Sequence, residues 1–185
     1  HERHAMTNPN LESAERIRAN VREGYAGIAN ATDLDASCCG AGGCCAPGSA
    51  GVATQIGYDA SDLDALPEGA EMGLGCGNPT ALASLAPGET VLGRGSGGGV
   101  GVFLAAVKVG ADGGGGRAIG VDMTPQMLSK ARAGIARFRE RSALNNAEFR
   151  LGEIEHLPVA DATIDVVISN CVINLSPDKP SVWRE

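Results

Sequence analysis

Apolar positions fall on two periods along the chain, and the changes of period mark its elements. Leu11, Ala14, Ile17, Val21, Tyr25 and Ile28 recur at steps of three and four behind Asn8 and Pro9, so 10–29 reads as an amphipathic helix with its own N-terminal signal. The period disappears over 33–57, where Ala, Ser, Gly and Cys dominate and predict a loop. Residues 61–66 read as a short helix, with Asp64 three positions after Ser61 and Pro67 ending it. A glycine-interrupted stretch then leads to a second short helix at 78–85, with Cys76 in the turn before it.

The apolar run Thr90-Val91-Leu92 opens a different regime. It enters a turn with glycine at 93, 95, 97, 98, 99 and 101, followed by a helix at 102–109 and a second strand at 117–121 that ends in Asp122. Thr124 and Pro125 start a helix to about Arg141, with Met127, Leu128, Ala131, Ile135 and Phe138 on its buried face. Residues 147–151 predict a third strand and 163–169 a fourth, whose nearly continuous apolar character suits a central parallel strand. Strand, glycine turn, helix, strand and terminal acid is the nucleotide-binding half of a doubly wound, mostly parallel α/β sheet, a Rossmann-like arrangement. The expected division is an N-terminal helix and cysteine-rich loop at 1–66 and a sheet domain at 67–185. Such a sheet carries further strands, so the domain is expected to be partial, lacking its last ones.

Composition narrows the class. Hydrophobic residues are 43% and charged ones 20%, and no apolar run nears the ~18 residues that span a bilayer. The polar start lacks a secretory h-region, so a cytoplasmic setting is expected, with no membrane partner. A net charge of −7 opposes a sequence-independent grip on nucleic acid and favours small molecules as partners. Nothing in the pattern calls for an oligomer. The six cysteines stand as two adjacent pairs, Cys38-Cys39 and Cys44-Cys45, and two distant singles, Cys76 and Cys171. This is not the spacing of a secreted disulfide framework, and the pairs lack the C-x₂-C spacing of zinc sites.

Four loops converge at the carboxyl ends of the predicted strands: the glycine turn, Asp122, Gly152-Glu153-Ile154-Glu155, and the segment from Ser169 to Asn174. Dinucleotide enzymes use GxGxxG, whereas Gly95, Gly97 and Gly99 give the GxGxG spacing of enzymes that use S-adenosylmethionine. His156 reads as a surface loop residue, and Lys130, Arg132, Arg137, Arg139 and Arg141 as a solvated helix face.

The glycine loop, VDMTP, GEIEHLPVAD and ISNCVINLSPDKP, with LPEGAEMGLGCGNPTALASLAPGETVL ahead of them, together resemble the arsenite methyltransferases. The resemblance runs from about Val21 to Glu185, and LGCGNP and ISNCVINLSPDKP are its most specific parts. It implies a class I methyltransferase fold and methyl transfer from S-adenosylmethionine to trivalent arsenic on cysteine thiolates, in arsenic detoxification. The substrate implied is arsenite or its thiol conjugates, with thioredoxin or glutathione as thiol reductant. Asp122 would hold the ribose, Met123 and Ile154 would sandwich the adenine, and Glu153 would sit near its amino group. Gly95, Gly97 and Gly99 would line the methionine end, and Asn170 would lie beside the reacting sulfonium. Cys76 and Cys171 match the arsenic-binding cysteines, and Cys38 or Cys39 a redox cysteine near the N-terminus.

The chain departs from the family pattern D-x-G-x-G-x-G-x-D at both acids, which are Gly93 and Gly101 here. Arg94 replaces an apolar strand residue and is expected to reach solvent, pair with a carboxylate such as Glu89, or distort the strand. Weakened cofactor binding is therefore expected. Two other readings stand beside the enzyme: a methyltransferase for another small molecule, and a thiol-rich metalloid-binding protein without catalysis.

Overall fold

The computed structural model describes residues 9–31, 57 and 66–185. Helix α1, Pro9–Asn30, precedes a one-turn helix α2, Pro79–Leu82. The sheet then follows in order: β1 (Thr90–Arg94), α3 (Val100–Gly110), β2 (Arg117–Asp122), α4 (Pro125–Ser142), β3 (Ala147–Leu151) and β4 (Val166–Ser169). Helix α5, Lys179–Arg184, closes the chain. Cys38, Cys39, Cys44 and Cys45 of the cysteine-rich loop lie outside the described residues, as does the helix predicted at 61–66 except for Leu66, which is in a bend. Among the described residues, no helix is long and apolar enough to cross a membrane.

The four strands are parallel in the order β3-β2-β1-β4. Strand β1 therefore lies between two partners, which places the glycine turn at the middle of the carboxyl edge. One face of the sheet carries α3 and α4 and the main core. The chain's three phenylalanines meet there, Phe103 with Phe138 at 5.0 Å and with Phe149 at 5.2 Å between ring centroids. Those rings demand a bare backbone at Gly99, whose φ of 97° is left-handed and where a Cβ would approach Phe149 to 2.7 Å. Gly99 also caps α3, so the helix starts at Val100 rather than 102. The other face is thinner, with Leu92, Ile119 and Val121 covered by Leu157, Val159 and Ile164.

Two boundaries differ from the sequence expectation by three residues. Helix α2 stops at Leu82 instead of 85, because Ser84 takes a left-handed φ of 47°. Strand β4 starts at Val166 instead of 163: Ala162 is left-handed at φ 55°, and Thr163 Oγ1 bonds Ala160 O at 2.7 Å to close a turn. In the described sheet β4 is an edge strand, not a central one, and Val167 is 49% exposed on it.

Arg94 neither pairs with Glu89 nor distorts β1. Glu89 accepts the Ala86 N–H at 2.8 Å, while Arg94 keeps its ladder register with Val121 and Ser169. The guanidinium is buried, at 7% exposure, and Nη1 donates to Val182 O of α5 at 2.6 Å while Nε has no partner. Burial pushes its pKa below the ordinary arginine value, an effect that the charge of Glu185 opposes.

Candidate functional site

The site grows from the carboxyl ends of the strands. Beyond β1 the chain must turn sharply into α3, and backbone bonds fix that turn: Ser96 N–H to Val121 O at 3.0 Å and Gly99 N–H to Ser96 O at 2.9 Å. Gly95 has φ 65°, and a Cβ there would fall 2.6 Å from Val172, so the loop after β4 lies directly on the turn. Gly97, at φ 50°, has open space where its Cβ would be and presents bare backbone to the cavity.

Asp122 ends β2 and is 9% exposed. Its Oδ2 accepts the Gly97 N–H at 2.9 Å and its Oδ1 the Thr124 N–H at 2.8 Å, so it ties the glycine turn to the start of α4. Each carboxylate oxygen has two acceptor sites, and one hydrogen bond to each leaves capacity for hydroxyl donors. The Asp122 carbonyl in turn accepts Gly152 N–H at 3.0 Å, which draws the loop after β3 alongside.

That loop divides its side chains. Ile154, 8% exposed, lines the cavity together with Met123 and Asp122. Glu153 turns away to α1, with Arg18 at 3.4 Å and Arg22 at 3.9 Å, and does not belong to the cavity wall. Glu155, 4% exposed, accepts Ser176 Oγ–H at 2.6 Å and faces Arg18 at 3.4 Å. Helix α1 is thereby pinned over the site by Arg18, a residue that the helix's apolar stripe gives no reason to single out. Glu155 was equally silent in the sequence, being one of two acids in GEIE.

After β4 come Asn170 and Cys171. Cys171 has a left-handed φ of 58° and is joined to Cys76 as a disulfide across 95 residues, with the Cα atoms 6.4 Å apart. The Asn170 amide bridges the same two segments, donating from Nδ2 to Gly77 O at 2.9 Å and accepting Cys76 N–H at 3.4 Å. A cavity of about 180 Å³ lies between these loops. Its wall contains Gly95, Gly97, Asp122, Met123, Ile154, Asn170 and Cys171 from the sequence-predicted set. Gly99 is turned into the phenylalanine cluster instead, and Cys76 sits exposed at the mouth.

The cavity has the donor set for a nucleoside-bearing cofactor: an acid with spare acceptor capacity, apolar Met123 and Ile154 on its flanks, and bare backbone at Gly97. Gly93 and Gly101 also line it and bring no charge, so a cationic group at that end meets no carboxylate from β1 or α3.

Comparison with known proteins places the chain in a family. The arsenite methyltransferase of Halobacterium salinarum is 52% identical over 177 residues, 92% of this chain and 44% of the relative. That of Aquipseudomonas alcaligenes is 46% identical over 114 residues, 60% of this chain and 32% of the relative. The chain thus spans less than half the length of these curated relatives. Among solved structures, the arsenic(III) S-adenosylmethionine methyltransferase of Chlamydomonas reinhardtii superposes with a TM-score of 0.53 at 43% identity, over 58% of this chain and 36% of that one. A SAM-dependent methyltransferase from Aquifex aeolicus, at 20% identity and TM-score 0.51, covers 72% of this chain and 62% of its own and shows the shared fold. The family described as "Methyltransferase domain" matches residues 85–185, more than half of the sequence, and this protein belongs to that family.

Proposed function

We propose that the protein methylates trivalent arsenic, held by Cys76 and Cys171, at the expense of S-adenosylmethionine. The observation that carries the reading is the pairing of these two cysteines, 95 residues apart in sequence, at the mouth of the glycine-loop cavity. Trivalent arsenic is a soft, three-coordinate centre that prefers thiolates. Reduction of the disulfide by two glutathiones, or by one dithiol such as thioredoxin, frees two thiols and yields the oxidised reductant. Exchange onto arsenite then forms two S–As bonds and releases two waters. Among the described residues no third His, Cys, Asp or Glu completes a set with this pair; the remaining position on three-coordinate arsenic is filled by a hydroxide or a further thiol. A thiol conjugate of arsenite is accordingly an equivalent substrate.

Asp122 would hold the cofactor's ribose, Met123 and Ile154 its adenine, and the backbone at Gly95 and Gly97 its amino-acid end. When bound, S-adenosylmethionine supplies an electrophilic methyl on a sulfonium sulfur. The chain's contribution is placement. Thiolates raise the electron density on arsenic, and holding that atom near the cavity supplies on the order of several kcal/mol of barrier lowering. Gly93 and Gly101 bring no carboxylate from β1 or α3 to the amino-acid end of the cofactor, so we expect weak cofactor binding and slow turnover. A cytoplasmic, thiol-reducing setting suits this chemistry.

The test is arsenite, glutathione and labelled S-adenosylmethionine with the reduced protein, and mass separation of the arsenicals. Methylated arsenic supports the proposal. Arsenite retained without methylated product selects the binding protein, and methyl transfer to another acceptor that survives loss of both cysteines selects a different methyltransferase.

A further inference from the structure

Asn170 leaves β4 immediately before Cys171, and among the described residues the hydrogen bonds of its side-chain amide go to the thiol-bearing segments. Nδ2 donates to Gly77 O at 2.9 Å, Oδ1 accepts from Cys76 N–H at 3.4 Å, and Oδ1 lies 3.1 Å from Cys171 Sγ, close enough to accept the S–H once the disulfide is reduced. Donor and acceptor are therefore both engaged on one turn. Cys171 holds a φ of 58°, a conformation that residues with a Cβ adopt only when their surroundings impose it, at about 1–3 kcal/mol. The two observations are independent, and both fix the direction of a sulfur.

We propose that Asn170 is the positioning residue of the Cys76–Cys171 pair: its amide staples the turn around Cys76 to the end of β4 and keeps the two sulfurs at chelating distance once they are reduced. The first S–As bond then makes the second intramolecular, and its strength depends on the effective concentration of one thiol at the other. An amide meets the requirement because it offers a donor and an acceptor in one plane. Aspartate keeps the acceptor and loses the donor to Gly77 O, and alanine keeps neither. The metalloid as ligand rests on the function proposed above, whereas the closeness of the two thiols does not.

The experiment uses the full chain as wild type, Asn170→Ala and Asn170→Asp, with two readouts: the glutathione equilibrium of the Cys76–Cys171 disulfide, and titration of the reduced protein with arsenite followed by S–As absorbance. In Asn170→Ala the effective concentration falls about tenfold, which makes the dithiol potential about 30 mV less negative. Arsenite affinity falls by about the same factor, while both cysteines remain alkylatable and the melting temperature stays near wild type. Asn170→Asp lies between the two. An unchanged glutathione equilibrium in Asn170→Ala overturns the proposal. Should that variant fail to fold, a wild-type equilibrium in Asn170→Asp overturns it equally, since a carboxylate cannot donate to Gly77. Failure of the wild type to bind arsenite would refute the proposed function and leave the glutathione equilibrium to decide the role of Asn170.

Discussion

Restoring an acid at Gly101 and at Gly93 should have opposite effects on stability and the same effect on cofactor binding. Gly101 lies in the first turn of α3, and a Cβ built there meets only Ile168 Cδ1, at 3.7 Å. Gly101→Asp gains about 0.3 kcal/mol in helix propensity and about 0.3–1 kcal/mol from a negative charge at the helix N-terminus. The sum, about 1 kcal/mol, raises the melting temperature by roughly 2–4 °C in a chain of this size. Gly93 is buried, and its Cβ would sit 2.9 Å from Cγ2 of Val102, itself 2% exposed. Gly93→Asp overpacks that contact, destabilising by about 2 kcal/mol and lowering the melting temperature by roughly 4–8 °C. Both carboxylates enter the cavity wall, where each attracts the cofactor's ammonium. A gain of about 1.4 kcal/mol per acid is a tenfold tighter Kd. Thermal melts of the free protein and isothermal titration with S-adenosylmethionine read the two quantities separately. A melting temperature lowered by Gly101→Asp, or submicromolar cofactor affinity in the unaltered chain, would refute the reasoning.

Other substitutions probe the surroundings of the site. Arg94→Leu replaces a buried guanidinium whose Nε has no partner by an apolar side chain, and should raise stability by about 1–2 kcal/mol in chemical denaturation even though Val182 O loses its donor; a destabilised variant would mean that the Arg94–Val182 bond outweighs the burial. Arg18→Ala should destabilise by about 2 kcal/mol, because among the described residues the buried Glu155 carboxylate then keeps only the Ser176 hydroxyl. Adding Glu155→Gln should recover most of that loss, and strict additivity in the double-mutant cycle would show the pair to be uncoupled. The Arg150 hydrogen bond holds the Glu148 carboxyl below its ordinary value, so its contribution is present above the unfolded-state pKa and is lost as pH falls through the folded one. The side chain is 50% exposed, and the effect stays below about 1 kcal/mol. Melts of wild type and Glu148→Gln should accordingly differ at neutral pH and converge on the acid side; a difference that grows with acid contradicts the sign.

The sheet was legible because its signals are local. The apolar strands, the glycine turn and Asp122 follow one another within 33 residues, and the α4 stripe of Met127, Leu128, Ala131 and Phe138 is a direct 3.6-residue period that the structure buries. What escaped was long-range or conformational. Ser84 beyond α2 and Ala162 ahead of β4 shorten those elements by adopting left-handed φ, for which neither residue type has a preference. Arg94 finds its partner 88 positions away, in a backbone carbonyl that no pattern announces. Glu153 and Glu155 differ by two positions in one loop, yet one pairs outward with α1 and the other is buried beside Ser176, a distinction set by packing and not by spacing. The convergence of Cys76 on Cys171 was visible through family resemblance, since nothing in a separation of 95 residues implies contact.

The central claim is that methyl transfer happens to a metalloid held by Cys76 and Cys171. Its most direct test is single-turnover methylation of arsenite by the reduced chain with labelled S-adenosylmethionine, run beside Cys76→Ser and Cys171→Ser. Labelled methylarsenicals are expected from the unaltered chain, in greater yield with Gly101→Asp, and none from either cysteine variant. Undiminished methylarsenical formation by both cysteine variants would contradict it.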